Sequence, residues 1–125
     1  QPFRAILLEG LALDGGLAVP ESYPRFSAAE LDAMRGLDYR GLAFAVLSRF
    51  FDDLPSADLK RLIDATYTKA TFGSDEIVPL ATLAPGLHLL HASNGPTLAF
   101  KDVALQLLGR LFDVVDEYLN EEEQR

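Results

Sequence analysis

The 125 residues predict a mainly α chain of the α+β class, with a helical unit over residues 1–80 and a second unit over 81–125 that opens with one strand and one long helix. Three observations carry this. Apolar residues recur at three- and four-residue spacing over 27–70 and again over 98–121, the mark of helices with one buried face. Between these stretches, Gly73, Pro79, Pro85, Gly86, Gly95 and Pro96 interrupt any helix. A composition of 49% hydrophobic and 24% charged residues is that of a chain able to bury a core.

Residues 3–13 read as a short apolar segment, closed by the turn-forming Asp14-Gly15-Gly16 and by Pro20 and Pro24. Ser27-Ala28-Ala29-Glu30 is a capping box, with Phe26 and Leu31 spaced as a hydrophobic staple, so a helix is predicted over about 28–35, ending at Gly36. Asp38 caps a second helix carrying Leu42, Val46, Leu47 and Phe50, which runs to the break at Asp52-Asp53-Leu54-Pro55. A third starts at Ser56 and aligns Leu59, Leu62, Ile63, Tyr67 and Ala70, leaving Lys60, Arg61, Asp64 and Lys69 mostly off the stripe. Leu87-His88-Leu89-Leu90-His91 reads as a short buried strand. After the Ser93-Asn94-Gly95-Pro96-Thr97 loop, a helix opening near Thr97 aligns Ala104, Leu107, Leu108, Leu111, Val115, Tyr118 and Leu119. It would be roughly 35 Å long. Its Glu121-Glu122-Glu123 end places acids near the negative pole of the helix dipole, which favours fraying.

The formal charge is −8, and residues 102–125 hold seven acids against two arginines, so −5 of it lies there. Such a balance argues against a nucleic-acid surface, which needs a basic stripe. Without cysteine there is no disulfide framework and no thiolate metal site, and a reducing, cytoplasmic home is the default expectation. The start carries both Arg4 and Glu9, unlike a signal peptide. The longest apolar stretch, residues 42–47, falls far short of the roughly 20 residues a bilayer needs, so no membrane association is expected. His88 and His91, three apart on a strand, would point to opposite faces and share no metal. A chain that begins without methionine and stops on Gln124-Arg125 fits a piece of a longer protein.

Only three lysines are present, and Lys101 is locally mis-set. In the first turn of a helix the free backbone N–H groups disfavour an ammonium, and burial among Leu98, Ala99, Phe100 and Val103 would favour the neutral amine that attacks carbonyls. The alternative is an exposed lysine paired with Asp102 or another acid, the commoner arrangement. Asn94 and Thr97 also divide: their polar groups face a ligand, or Asn94-Gly95 is a turn and Thr97 a helix N-cap.

Ser93-Asn94-Gly95-Pro96-Thr97-Leu98-Ala99-Phe100-Lys101-Asp102, followed by Ala104-Leu105-Gln106, resembles the pyridoxal-phosphate attachment segment of the threonine synthase family. Asp14-Gly15-Gly16-Leu17-Ala18-Val19-Pro20 resembles the same family's amino-terminal signature, in the right order and at a fitting distance. The resemblance implies an α/β parent enzyme of fold-type II that uses pyridoxal 5'-phosphate to turn O-phospho-L-homoserine and water into L-threonine and phosphate. It implies that Lys101 holds the cofactor as an imine and shuttles protons at the substrate's Cα and Cβ, with Asn94 and Thr97 as further cofactor-binding candidates. The family's phosphate-cradling loops and substrate-binding basic residues would come after Arg125. The 125 residues alone are therefore expected to be inactive and to self-associate through an incompletely covered long helix. Two other readings remain: a phospho-lyase of the same fold that releases a keto acid, and a helical interaction module without catalysis.

Overall fold

A computed structural model describes the backbone of residues 1–123 and the side chains of residues 1–120; the expectation for the Glu121-Glu122-Glu123 side chains lies outside the described residues. The apolar segment at the start is a helix, α1 (Phe3–Glu9). Its free amides are met from 49 residues away, where Asp53 accepts from Arg4 N at 3.0 Å and from Arg4 Nε at 3.2 Å, and Asp52 accepts from Phe3 N at 3.4 Å. Phe3 stacks on Phe51 with ring centroids 4.0 Å apart. A capping partner so distant in sequence leaves no local signal, which is why periodicity alone missed this helix. Residues 10–26 then form an exposed arm, turned at Gly15 (φ 82°), where Asp14 Oδ1 accepts from Gly16 N at 2.9 Å.

Helix α2 (Ala28–Met34) carries the predicted capping box, with Ser27 Oγ accepting from Glu30 N and Glu30 accepting from Ser27 N. Leu31 is half exposed, and Phe26 is covered by the Arg49 guanidinium, 5.0 Å from the ring centre, which also pairs with Glu30. In α3 (Tyr39–Leu47) Asp38 is the cap, accepting from Gly41 N at 2.8 Å. The helix stops at Leu47 instead of running on to Asp52. Leu47 O takes the amides of both Phe50 and Phe51, and the turn sends Phe51 inward against Phe3 while Phe50 stays exposed.

Helix α4 (Ser56–Thr66) buries Leu59, Leu62 and Ile63, as the stripe predicts, and Thr66, which the stripe did not include. The expected continuation to Ala70 does not occur. Tyr67 leaves the helical region (ψ 80°), and Thr68 caps a new short helix, α5 (Lys69–Phe72), its side chain accepting from Thr71 N at 3.2 Å. This break turns Phe72 into the core, 0% exposed, and leaves Ala70 outside.

The single buried strand is instead a hairpin, β1 (Leu80–Ala84) paired antiparallel with β2 (Leu87–Leu90) across Pro85-Gly86, where Gly86 has φ 75°. Leu80 faces Leu90 and Thr82 faces His88, and every residue of β2 is exposed. An isolated two-stranded hairpin is marginal in water, so a continuous apolar run marks a strand whose cover is not supplied by the described residues. The mainly α, α+β class stands, with one strand more than predicted.

Helix α6 (Asp102–Glu123, 22 residues) lies along α4. Leu107, Leu111 and Val114 join Leu54, Leu59, Leu62, Ile63, Tyr67, Phe72 and Ile77 in one core. The middle of the α6 stripe is thus covered by helices, while its ends, Ala104 and Leu119, and the flanking Leu105 and Phe112 stay exposed. Tyr118 donates to Asp58 and lies 5.2 Å below the Arg4 guanidinium, tying α6 to α4 and α1. No described helix is long and apolar enough to cross a membrane.

Tyr67 links the helical unit to the start of α6, its hydroxyl donating to Val103 O at 2.7 Å and its ring meeting Tyr39 edge-on at 5.0 Å. Burial, and to a lesser degree the neighbouring Tyr39, pushes the Tyr67 hydroxyl well above the ordinary tyrosine range. Below about pH 10 tyrosine keeps its proton in both folded and unfolded chains, so stability there is unaffected. Above that pH the unfolded chain loses the proton first, and stability falls as pH rises. Thermal melts between pH 8 and 11 are expected to show this fall, and Tyr67→Phe to flatten it in part, because burial also raises Tyr39.

Candidate functional site

The segment from Asn94 to Asp102 joins the hairpin to α6 and is held at both ends. At its base, Asn94 Nδ2 donates to Phe72 O at 2.5 Å and Ile77 O at 2.9 Å, while its Oδ1 is buried with no hydrogen-bond partner among the described residues. The next turns are tight: Gly95 O accepts from Leu98 N, and Ala99 O from Asp102 N. Leu98 adopts φ 59°, a left-handed conformation that a branched side chain occupies only when its surroundings impose it. The helix does not open at Thr97 as predicted. Lys101 O accepts the first helical bonds, from Ala104 N and Leu105 N, so Lys101 is the last residue before α6.

The reason is Asp102. Its carboxylate, at the first residue of α6, reaches back five residues and accepts from Thr97 N and Thr97 Oγ1, both at 2.8 Å, and from Gln106 Nε2 at 3.5 Å. Thr97 is therefore a donor to Asp102, and the backbone it would have capped is a turn. Asp102 is 2% exposed. Desolvation works to raise its carboxyl, but the Thr97 amide and hydroxyl, Gln106 and the Ala99 amide outweigh it and hold the group below the ordinary carboxylate range. Sequence reasoning offered Asp102 as an acid to pair with Lys101, not as a partner of Thr97. A contact back to Thr97 has no periodic signature.

The two alternatives for Lys101 resolve into a third arrangement. The residue is exposed rather than buried, yet it has no acidic partner among the described residues. Lys60 pairs with Asp64 at 3.1 Å and Lys69 with Asp75 at 3.3 Å, whereas the acid beside Lys101 is turned away toward Thr97. Lys101 lines a hollow of about 520 Å³ with Tyr39, Val78, Leu90, Ala92 and Phe100. His88 Nδ1 meets Thr82 Oγ1 at 3.0 Å across the hairpin, and no described cluster of histidines and carboxylates is placed to hold a metal ion.

The helical unit and the long helix α6 thus share one core, and Lys101, with no acidic partner among the described residues, stands just ahead of that helix. Residues 1–67 match the family model described as threonine synthase N terminus, and the chain belongs to that family. It is 52% identical over 120 residues to a threonine synthase of Methylobacillus glycogenes, covering 90% of this chain and 25% of that protein. Among solved structures, pyridoxal-phosphate-bound threonine synthase from Brucella melitensis superposes with a TM-score of 0.89 at 42% identity over 95% of this chain and 25% of that one. Threonine synthase from yeast does so with 0.87 at 40% over 95% and 24%. The chain thus spans about a quarter of the length of the relatives it matches.

Proposed function

We propose that these residues are the amino-terminal part of a threonine synthase that converts O-phospho-L-homoserine and water to L-threonine and phosphate, with pyridoxal phosphate held on Lys101. The observation that carries the reading is a lysine paired with no acid among the described residues, lining an apolar hollow, in a loop fixed at both ends. That arrangement fits the aldehyde end of the cofactor. Nothing lining the hollow fits the phosphate end, for no arginine is there, and those groups belong to the chain beyond Arg125. When bound, the cofactor supplies an electron sink for negative charge at the substrate's Cα. Lys101 Nζ would hold the cofactor and, as a free amine, would move protons at the substrate's Cα and Cβ. Asn94 offers its unpartnered Oδ1 as an acceptor toward cofactor or substrate, while Thr97, its hydroxyl proton committed to Asp102, has only an acceptor oxygen left for the same role.

In this reading residues 1–80 are the helical domain, 81–125 begin an α/β cofactor domain of fold-type II, and the parent enzyme is cytoplasmic. The 125 residues alone are inactive and self-associate through the exposed flank of α6. Incubation of the full-length protein with pyridoxal phosphate and O-phospho-L-homoserine is expected to release threonine and phosphate in equal amounts. A keto acid with phosphate and no threonine would replace the reading with a phospho-lyase.

A further inference from the structure

We propose that Asp102 is a positioning residue for Lys101: its carboxylate buckles the loop to the first turn of α6 and so sets where the lysine leaves the backbone. The inference rests on the reading of Lys101 as the cofactor-holding amine.

A carboxylate 2% exposed and paired with no cation among the described residues is costly unless its oxygens are filled. Here they are filled by one loop residue and one helix residue. Oδ2 takes both donors of Thr97, four residues ahead of Lys101, and Oδ1 takes Gln106 one turn into α6. The helix start adds partial positive charge to the same spot. Lys101 is therefore spanned by the bridge and covalently joined to its keystone. Gly95 is fitted to the same group: a Cβ there would stand 2.5 Å from Asp102 Cβ and 2.7 Å from Oδ2, so loop and carboxylate fill each other's space. The left-handed Leu98 lies inside the span, a conformation that relaxes if the bridge opens. Asp102 itself is turned away from the lysine and acts only through the backbone.

The test uses the full-length protein, wild type and with Asp102→Ala, Asp102→Asn or Thr97→Val. Folding is followed by circular dichroism, loop closure by exchange of the Thr97 amide hydrogen without cofactor, and amine placement by the rate at which pyridoxal phosphate is fixed on Lys101 by borohydride. Asp102→Ala is expected to speed Thr97 amide exchange and to slow Lys101 labelling about tenfold or more while the fold is kept, since small misplacements of a reacting group carry large rate costs. Asp102→Asn retains an oxygen that accepts both Thr97 donors and is expected to restore labelling to within about threefold of wild type, a rescue that loss of charge alone would not permit. If Asp102→Ala does not fold, Thr97→Val removes one of the two loop donors and is expected to slow labelling several-fold. Wild-type labelling in a folded Asp102→Ala or Thr97→Val protein overturns the positioning role and leaves the cofactor reading intact. A wild-type protein that is not labelled at Lys101 overturns both.

Discussion

Exchange of Lys101 for alanine in the full-length protein is expected to lower threonine formation on the order of 10³-fold or more, because one amine both holds the cofactor and moves the protons. The expected loss is of chemistry rather than of fold. Lys101 is exposed and takes part in no ion pair among the described residues, so the melting temperature should change little. Lys101→Arg is expected to rescue nothing, since a guanidinium keeps its charge and offers no neutral amine. Steady-state kinetics, together with retention of pyridoxal phosphate through gel filtration, checks both. A Lys101→Ala enzyme keeping a tenth of wild-type turnover would remove the lysine from the mechanism.

The largest stability effect is expected at Phe72. Its side chain is 0% exposed, lies 5.8 Å from the Tyr67 ring, and shares the core with Leu59, Ile63 and Ile77. Phe72→Ala should therefore cost about 3–5 kcal/mol, the usual toll of emptying an aromatic site in a close-packed interior. The effect reaches the functional loop as well, because Phe72 O is one of the two carbonyls that hold Asn94. Ala70→Ser supplies the contrast: the helical stripe would put Ala70 in the core, but it is exposed, and its replacement should stay within about 0.5 kcal/mol. Urea unfolding midpoints of the two variants decide between them, and a Phe72→Ala midpoint matching wild type would show that the core does not depend on α5.

Short-range rules explain what was legible. Asp38 and the Ser27-Glu30 pair cap their helices as written, since a cap needs only residues two or three positions apart. The stripe of α4 reads correctly as far as Tyr67, then fails because Thr68 is a better cap than a helix interior residue. Helix α1 was not legible, its amides being met by Asp52 and Asp53 across the fold. The hairpin was read as one buried strand because an apolar run does not reveal whether its cover lies within the same stretch of chain.

The sequence by itself determined the class of this protein, the helical spacing of its core and the lysine on which its proposed chemistry turns, because each is written in composition, in three- and four-residue periods or in contiguous motifs. Only the tertiary structure decided that Phe72 replaces Ala70 in the core, that α6 is seated on α4, and that Asp102 bridges Thr97 and so leaves Lys101 without an acid among the described residues. The physical reason is the same in each case. A buried polar group or a packed ring takes its partner from whatever the fold brings near, and that partner stands at no fixed distance along the chain.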